Sequence, residues 1–243
     1  MATLSTSFEL PLRSFVLKLA LDVEGTVALV GPSGAGKTSV LKAVAGLTRP
    51  PSGRIALDAD VWLDSSAGLF RSPDERRVGL VFQEYALFPH MNVRQNVAYA
   101  GKTRADEYLE RFRISHLAEA MGTELSSGQR TLIGIVRSTL HRPRLLVLDE
   151  PTASLDPDVA LRVREGLIEV AATEGTALLM TSHDMTDVEQ VCERVLFLSA
   201  GHIVADGTPD SIAAAYGRGN LEGVFLHLAG DREASHSQQS DHP

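Results

Sequence analysis

Residues 31–38 read GPSGAGKT, directly after the apolar run TVALV (26–30) and at the head of KTSVLKAVAGL (37–47), where Val40, Leu41, Val44 and Leu47 recur at helical spacing. The order is therefore buried strand, glycine-rich turn, helix. Glycines at 31, 34 and 36 let the backbone curl so that successive N–H groups point inward at phosphate oxygens, and the helix adds the positive end of its dipole. The pattern is G-x-x-x-x-G-K-[ST]. In it Gly31, Pro32, Ser33, Gly34, Ala35, Gly36 and Ser39 form a loop around a nucleotide's phosphates. Lys37 reaches the terminal phosphates and the Thr38 hydroxyl coordinates Mg²⁺. A glycine-rich turn before a helix can also be only a turn, so the rest of the chain has to decide.

Three more apolar runs end in polar groups. RLLVLDE (144–150) ends in Asp149, placed to hold Mg²⁺ directly or through water, and Glu150, placed to point at a water attacking a γ-phosphate. TSHD (181–184) brings His183 to a strand end, where it can contact the γ-phosphate. RVGLVFQ (77–83) closes with Gln83, a group able to orient water and metal. Ligands of open α/β sheets gather at strand carboxyl ends, so these ends point to one site. FVLKLAL (15–21), GRIALDADVWLD (53–64) and RVLFLSAG (194–201) also read as strand, while PDVALRVREGLIEVAA (157–172) reads as helix. Strands alternating with helices imply an α/β core with a parallel sheet. Residues 85–140 differ: strand signal is weak, and RADEYLERFRISHLAEAM (104–121) spaces its apolar and charged residues as a helix does. The tail from 229 to 243 is polar and reads as disordered.

With 243 residues, there is enough chain to bury a sizeable core. The net charge of −8 argues against a nucleic-acid partner, which needs clustered Lys and Arg, but leaves room for a nucleotide. Cys192 is the only cysteine, which excludes a disulfide framework and a cysteine zinc site and reads as a buried thiol in an apolar helix. No apolar run reaches the roughly 18–20 residues of a membrane span, and the N-terminus lacks the apolar core of a secretory signal. Those two observations give a cytoplasmic expectation.

LSSGQR (125–130) contains no acid–base pair, metal ligand or activated nucleophile, yet it opens a helical stretch between the two nucleotide motifs. The ordered set GPSGAGKTS, VFQ, LSSGQR, LLVLDEP, ASLD and TSHD resembles the ATPase subunits of ABC transporters, across roughly residues 8–228. The resemblance implies a P-loop NTPase cassette with a mainly parallel sheet core, an antiparallel β part and an inserted α-helical subdomain. One domain then spans 1–228, with 1–84 and 141–228 as core and 85–140 as the helical insert. By the same resemblance, Ser126, Ser127, Gly128 and Gln129 cap the γ-phosphate of an ATP held by a second subunit. Asp156, in ASLD, lies at the interface of the two. Glu150, His183 and Gln83 are implied as catalytic, and Thr38, Gln83 and Asp149 as Mg²⁺ ligands. Partners implied are a second ATPase chain (a homodimer being the simpler case), integral membrane permease subunits and an extracytoplasmic substrate-binding protein. The location implied is peripheral, on the cytoplasmic face of the cell membrane.

The sequence departs from the family pattern in three places. Ser127 stands where a glycine is usual in the signature, and its Cβ limits the backbone there. ASLD replaces the commoner Ser-Ala-Leu-Asp. No tyrosine precedes Tyr85, so the aromatic that stacks on adenine is Phe8, Phe15 or absent. For cargo, residues 74–100 resemble importer ATPases for molybdate and related oxyanions. There Leu87, Phe88, Pro89 and Met91 suit either a helix of the membrane partner or ordinary packing. LSSGQR and NLEGVFLHLAG (220–230) instead resemble exporters of drugs and ions. A soluble non-transport ABC ATPase is a further alternative, but this chain has neither its coiled-coil inserts nor its paired cassettes. An unrelated P-loop kinase or GTPase would have no use for the signature.

Overall fold

In β1 (Leu4–Pro11) buried and exposed residues alternate along the whole strand, and β2 (Val16–Val23) repeats the pattern in antiparallel register, Leu4 opposite Val23 and Leu10 opposite Leu17. The computed structural model from which this is seen describes residues 2–82, 87–99, 101, 104–153 and 155–228. The first strand is not evident from hydropathy because Thr6 occupies one of its inward positions. Its hydroxyl is buried and donates to Leu21 O at 3.2 Å, so the polar group is satisfied. β3 (Thr26–Val30) is buried at every position, as a central strand must be.

Helix α1 (Lys37–Val44) stops three residues short of Leu47. Gly46, at φ 80°, turns the chain out of the helix and leaves Leu47 51% exposed. The open carbonyls of α1 are met from outside: Arg76 Nη1 donates to Ala43 O at 2.8 Å and Val44 O at 2.7 Å. Its guanidinium lies over the rings of Trp62 and Phe70, and burial pushes it down to about 10.

The run 53–64 is not one strand but two, β4 (Ser52–Leu57) and β5 (Asp60–Asp64), reversed at Asp58 with φ 51°. With β6 (Leu69–Phe70) they complete an antiparallel sheet ordered β2-β1-β4-β5-β6. A short α2 (Pro73–Arg76) leads to β7 (Gly79–Val81). Helices follow: α3 (Val93–Ala98), α4 (Ala105–Arg111) and α5 (Ser127–Thr139). The helical spacing read over 104–121 is realised only in α4, because Arg113 takes a left-handed φ of 56° and Ser115–Leu117 forms a single 3₁₀ turn.

The remainder alternates strand and helix: β8 (Leu145–Asp149), α6 (Pro157–Glu174), β9 (Ala177–Thr181), α7 (Met185–Val191), β10 (Arg194–Ser199), β11 (His202–Gly207) and α8 (Pro209–Ala215). Residues 221–228 are helical. The second sheet is ordered β11-β10-β3-β9-β8-β7, parallel from β10 to β7, with β11 antiparallel at its edge. The α/β architecture implied by the motifs is therefore present. Its strands sort their side chains by parity: Val27, Leu29, Val147 and Leu179 face α1 and the antiparallel sheet. Ala28, Val30, Leu148 and Met180 face α6 and the helical region around Tyr108 and Phe112. Two cores on opposite faces of one sheet hold its strand ends rigidly. Cys192 is buried as expected, but it caps α7 rather than lying within it, and burial pushes its thiol up to about 12. The expectation for the tail 229–243 concerns residues outside those described.

Candidate functional site

The glycine-rich loop joins β3 to α1, and its first residue tolerates no side chain. Gly31 has φ 144°, and a Cβ there would meet Leu198 O at 2.1 Å. Gly36, at φ 106°, is the N-cap of α1 and has no side chain with which to cap it, so the N–H groups of the first turn have no side-chain cap from it. Lys37 folds back over the loop, its Nζ donating to Gly31 O at 2.6 Å and Pro32 O at 3.3 Å. Burial lowers its pKa, and the negative charges of Glu150 and Asp149 partly oppose that shift.

Across the loop stands the end of β8. Asp149 is buried, and the Thr38 hydroxyl donates to its Oδ2 at 3.0 Å. Glu150 takes a left-handed φ of 53°, which reverses the chain at the strand end. The Glu150 carboxylate is hydrogen-bonded to Nδ1 of His183, itself 65% exposed. Together these groups border a cleft of about 290 Å³ lined by Leu12, Ser33, Lys37, Thr38, Asp149 and Glu150 among others. Ser39 and Gly34 also line it, Pro32 is half-buried beside it and Ala35 is buried beneath the loop. The hydroxyl of Thr38 and the carboxylate of Asp149 are hard oxygen donors beside a lysine, which fits Mg²⁺ with a phosphate better than a softer metal. Gln83 lies outside the described residues.

The signature residues do not line this cleft. Ser126 is the N-cap of α5 and accepts from Gln129 N–H, while the Gln129 side chain accepts from Ser126 N–H at 2.9 Å, a reciprocal capping box. Ser127 is the first helical residue and has no positive φ, so its Cβ meets no backbone restriction. Ser126 and Ser127 are exposed, whereas Gly128 is buried against Leu155 and Val159. Asp156, exposed, is the N-cap of α6 without a side-chain cap bond. The structure thus joins the signature and the Asp156 turn in one surface, separate from the cleft.

Phe8, a candidate for adenine stacking, is 3% exposed in the core of the antiparallel sheet and cannot serve. Phe15 packs on Gly201, where its ring would lie 2.6 Å from any Cβ. The residue that reaches the cleft is Leu12, in the turn between β1 and β2, and a search for aromatics passes over it. Thr181 was also missed. It touches both Asp149, the last residue of β8, and Glu150 just after it, and the only hint in the sequence is a polar residue closing an apolar strand. Leu87 packs against the core, while the half-buried Phe88 pairs with Tyr99 at 4.5 Å between ring centroids. Met91 lines an apolar groove of about 410 Å³ with His90, Gln95, Ala98 and Tyr99, the last 67% exposed. Among the described residues no helix is long and apolar enough to cross a membrane.

The family model for the ABC transporter matches residues 16–153, and a model described as an AAA domain matches residues 122–186. The chain is 36% identical over 230 residues to the molybdenum import ATP-binding protein ModC of Paramagnetospirillum magneticum, covering 89% of this chain and 63% of that protein. It is 38% identical over 213 residues to ModC of Rhizobium meliloti, covering 84% and 60%. The chain therefore spans less than two thirds of the length of these relatives. Among solved structures, it resembles the ATP-binding subunit of an ABC transporter at TM-score 0.75 and 22% identity, covering 94% of this chain and 100% of that one. It also resembles a dimeric ATP-binding cassette in a post-hydrolysis state with ADP and Pi, at TM-score 0.70 and 22% identity, covering 86% and 98%. With the phosphate loop, the paired acids at the end of β8 and the signature helix all placed in one such fold, the chain belongs to the ABC transporter family.

Proposed function

We propose that the chain binds ATP and Mg²⁺ in the cleft between the 31–39 loop and the end of β8, and hydrolyses ATP to drive import of a molybdate-type oxyanion. The observation that carries the reading is the meeting of Lys37, Thr38, Asp149 and Glu150 around one cleft at the carboxyl edge of the parallel sheet, with His183 bonded to Glu150. The cargo class rests on relatives named as molybdenum importers.

In this reading the loop N–H groups hold the phosphates. Lys37 exchanges two neutral carbonyl partners for the terminal phosphates, and the anion reverses the penalty that burial places on its charge. Thr38 and Asp149, with Gln83, hold Mg²⁺, which when bound neutralises charge on the β- and γ-phosphate oxygens. Glu150 accepts a hydrogen bond from the attacking water, and His183 keeps the Glu150 carboxylate turned to the cleft and contacts the γ-phosphate. Leu12 offers an apolar surface to the base in place of an aromatic ring.

The exposed Ser126 and Ser127 and the half-buried Gln129, with the N–H groups around Gly128, complete the cleft of a second copy, and Asp156 meets that copy beside them. The groove at Met91 and Tyr99 receives a helix of the permease, which keeps the chain at the cytoplasmic face of the membrane. A substrate-binding protein on the far side delivers the oxyanion.

A single variant tests both levels. Glu150→Gln should keep ATP binding and lose at least ~100-fold in phosphate release. Trapped with ATP and Mg²⁺ in native membranes, it should carry down a permease and a binding protein. A large permease alone would favour export, which the resemblance of residues 220–230 to exporters suggests. Undiminished hydrolysis by the variant would remove Glu150 from its role.

A further inference from the structure

β9 lies between β3 and β8 and ends in Thr181, opposite Leu29 on one side and Asp149 on the other. Thr181 is fully buried. Its hydroxyl donates to Asp149 Oδ1 at 2.7 Å and accepts from the Glu150 N–H at 3.1 Å, so one small group spans two consecutive acids. The same Glu150 N–H also reaches the main-chain oxygen of Thr181 at 3.2 Å. A threonine in the last position of a core strand would ordinarily be a packing residue whose hydroxyl finds whatever acceptor is near. Here the partners are the two groups whose orientation matters most.

We propose that Thr181 is a positioning residue for both acids. It holds Asp149 Oδ1 at 2.7 Å and so fixes the carboxylate with Oδ2 as the nearer partner of Thr38, at 3.0 Å against 3.3 Å for Oδ1. It also braces Glu150 in its left-handed turn, a conformation uncommon outside glycine that persists only where the surroundings over-determine it. That turn lays the Glu150 carboxylate against His183, two residues beyond Thr181 on the same segment. A shift at the end of β9 would therefore move the metal ligand, the acid beside it and the histidine together.

The inference rests on the proposed ATP-hydrolysing role of the cleft. The test uses the full chain with Thr181→Val, which keeps the branched shape, and Thr181→Ser, which keeps the hydroxyl. A fluorescent ATP analogue is titrated with and without Mg²⁺, and phosphate release is followed separately. For the valine variant, binding without Mg²⁺ should stay within about twofold of wild type. Its half-saturating Mg²⁺ concentration should rise about tenfold and kcat should fall by a similar factor, as for other residues that orient metal ligands. Serine should restore both. Wild-type Mg²⁺ dependence in the valine variant overturns the proposal, and so does a serine variant as impaired as valine, because packing would then explain the effect. If the valine variant does not fold, the serine variant decides alone, since it must keep wild-type Mg²⁺ dependence. Wild-type protein that showed no Mg²⁺-dependent binding would instead bring down the reading of the cleft itself.

Discussion

Lys37 shows at the residue scale how a binding site is kept at the expense of the fold. Its ammonium is half-buried and shares only neutral carbonyls with the loop, and burial lowers its pKa below the ordinary lysine value. A lysine with a depressed folded-state pKa destabilises the folded chain while it is charged. That penalty is complete below the folded pKa and is relieved as pH rises from there toward the unfolded value. Lys37→Met should therefore raise the melting temperature of the nucleotide-free protein by ~2 °C at neutral pH, while ATP binding falls sharply. Calorimetry with and without nucleotide checks both directions. A melting temperature that dropped would mean the lysine's own hydrogen bonds outweigh its burial.

At the scale of single elements, α5 and α8 are capped by the same chemistry but differ in what their caps face. Ser126 accepts from Gln129 N–H, and Thr208 accepts from Ser211 N–H. Either residue changed to alanine should cost about 1 kcal/mol in chemical denaturation. Only Ser126→Ala should also abolish ATP-stimulated phosphate release, since Thr208 lies away from the proposed interface. Equal losses of activity in both would reduce the signature serine to a helix cap. The elements legible in the sequence were those with unbroken apolar runs, namely β3, β8, β9 and β10, because a strand buried on both faces can hardly be anything else. β1 was hidden by Thr6, whose burial depends on a carbonyl of β2 that hydropathy does not reveal. Residues 53–64 became a hairpin because Asp58 accepts a left-handed turn, a local choice that their apolar spacing does not show. In the site, Lys37, Thr38, Asp149, Glu150 and His183 could be read from motifs. Leu12 and Thr181 could not, since their places depend on which strands lie side by side.

At the scale of the whole molecule, the net charge of −8 coexists with a lysine-bearing cleft on one edge of the sheet and exposed signature serines at the start of α5 elsewhere on the surface. Ser126 does not line the cleft of its own chain, and in the proposed pairing each chain carries one half of two different sites. Two inactive forms, Lys37→Met and Ser126→Ala, would then repair each other when mixed. In a mixed pair one site combines both defects, and the other joins an intact loop to an intact signature. Random pairing should return about a quarter of wild-type phosphate release. Zero recovery would show either that each chain works alone or that the two sites must fire together. In a cell, the same geometry would let two recessive alleles of one gene complement each other, so a loss-of-function screen could sort variants into two groups without any structure.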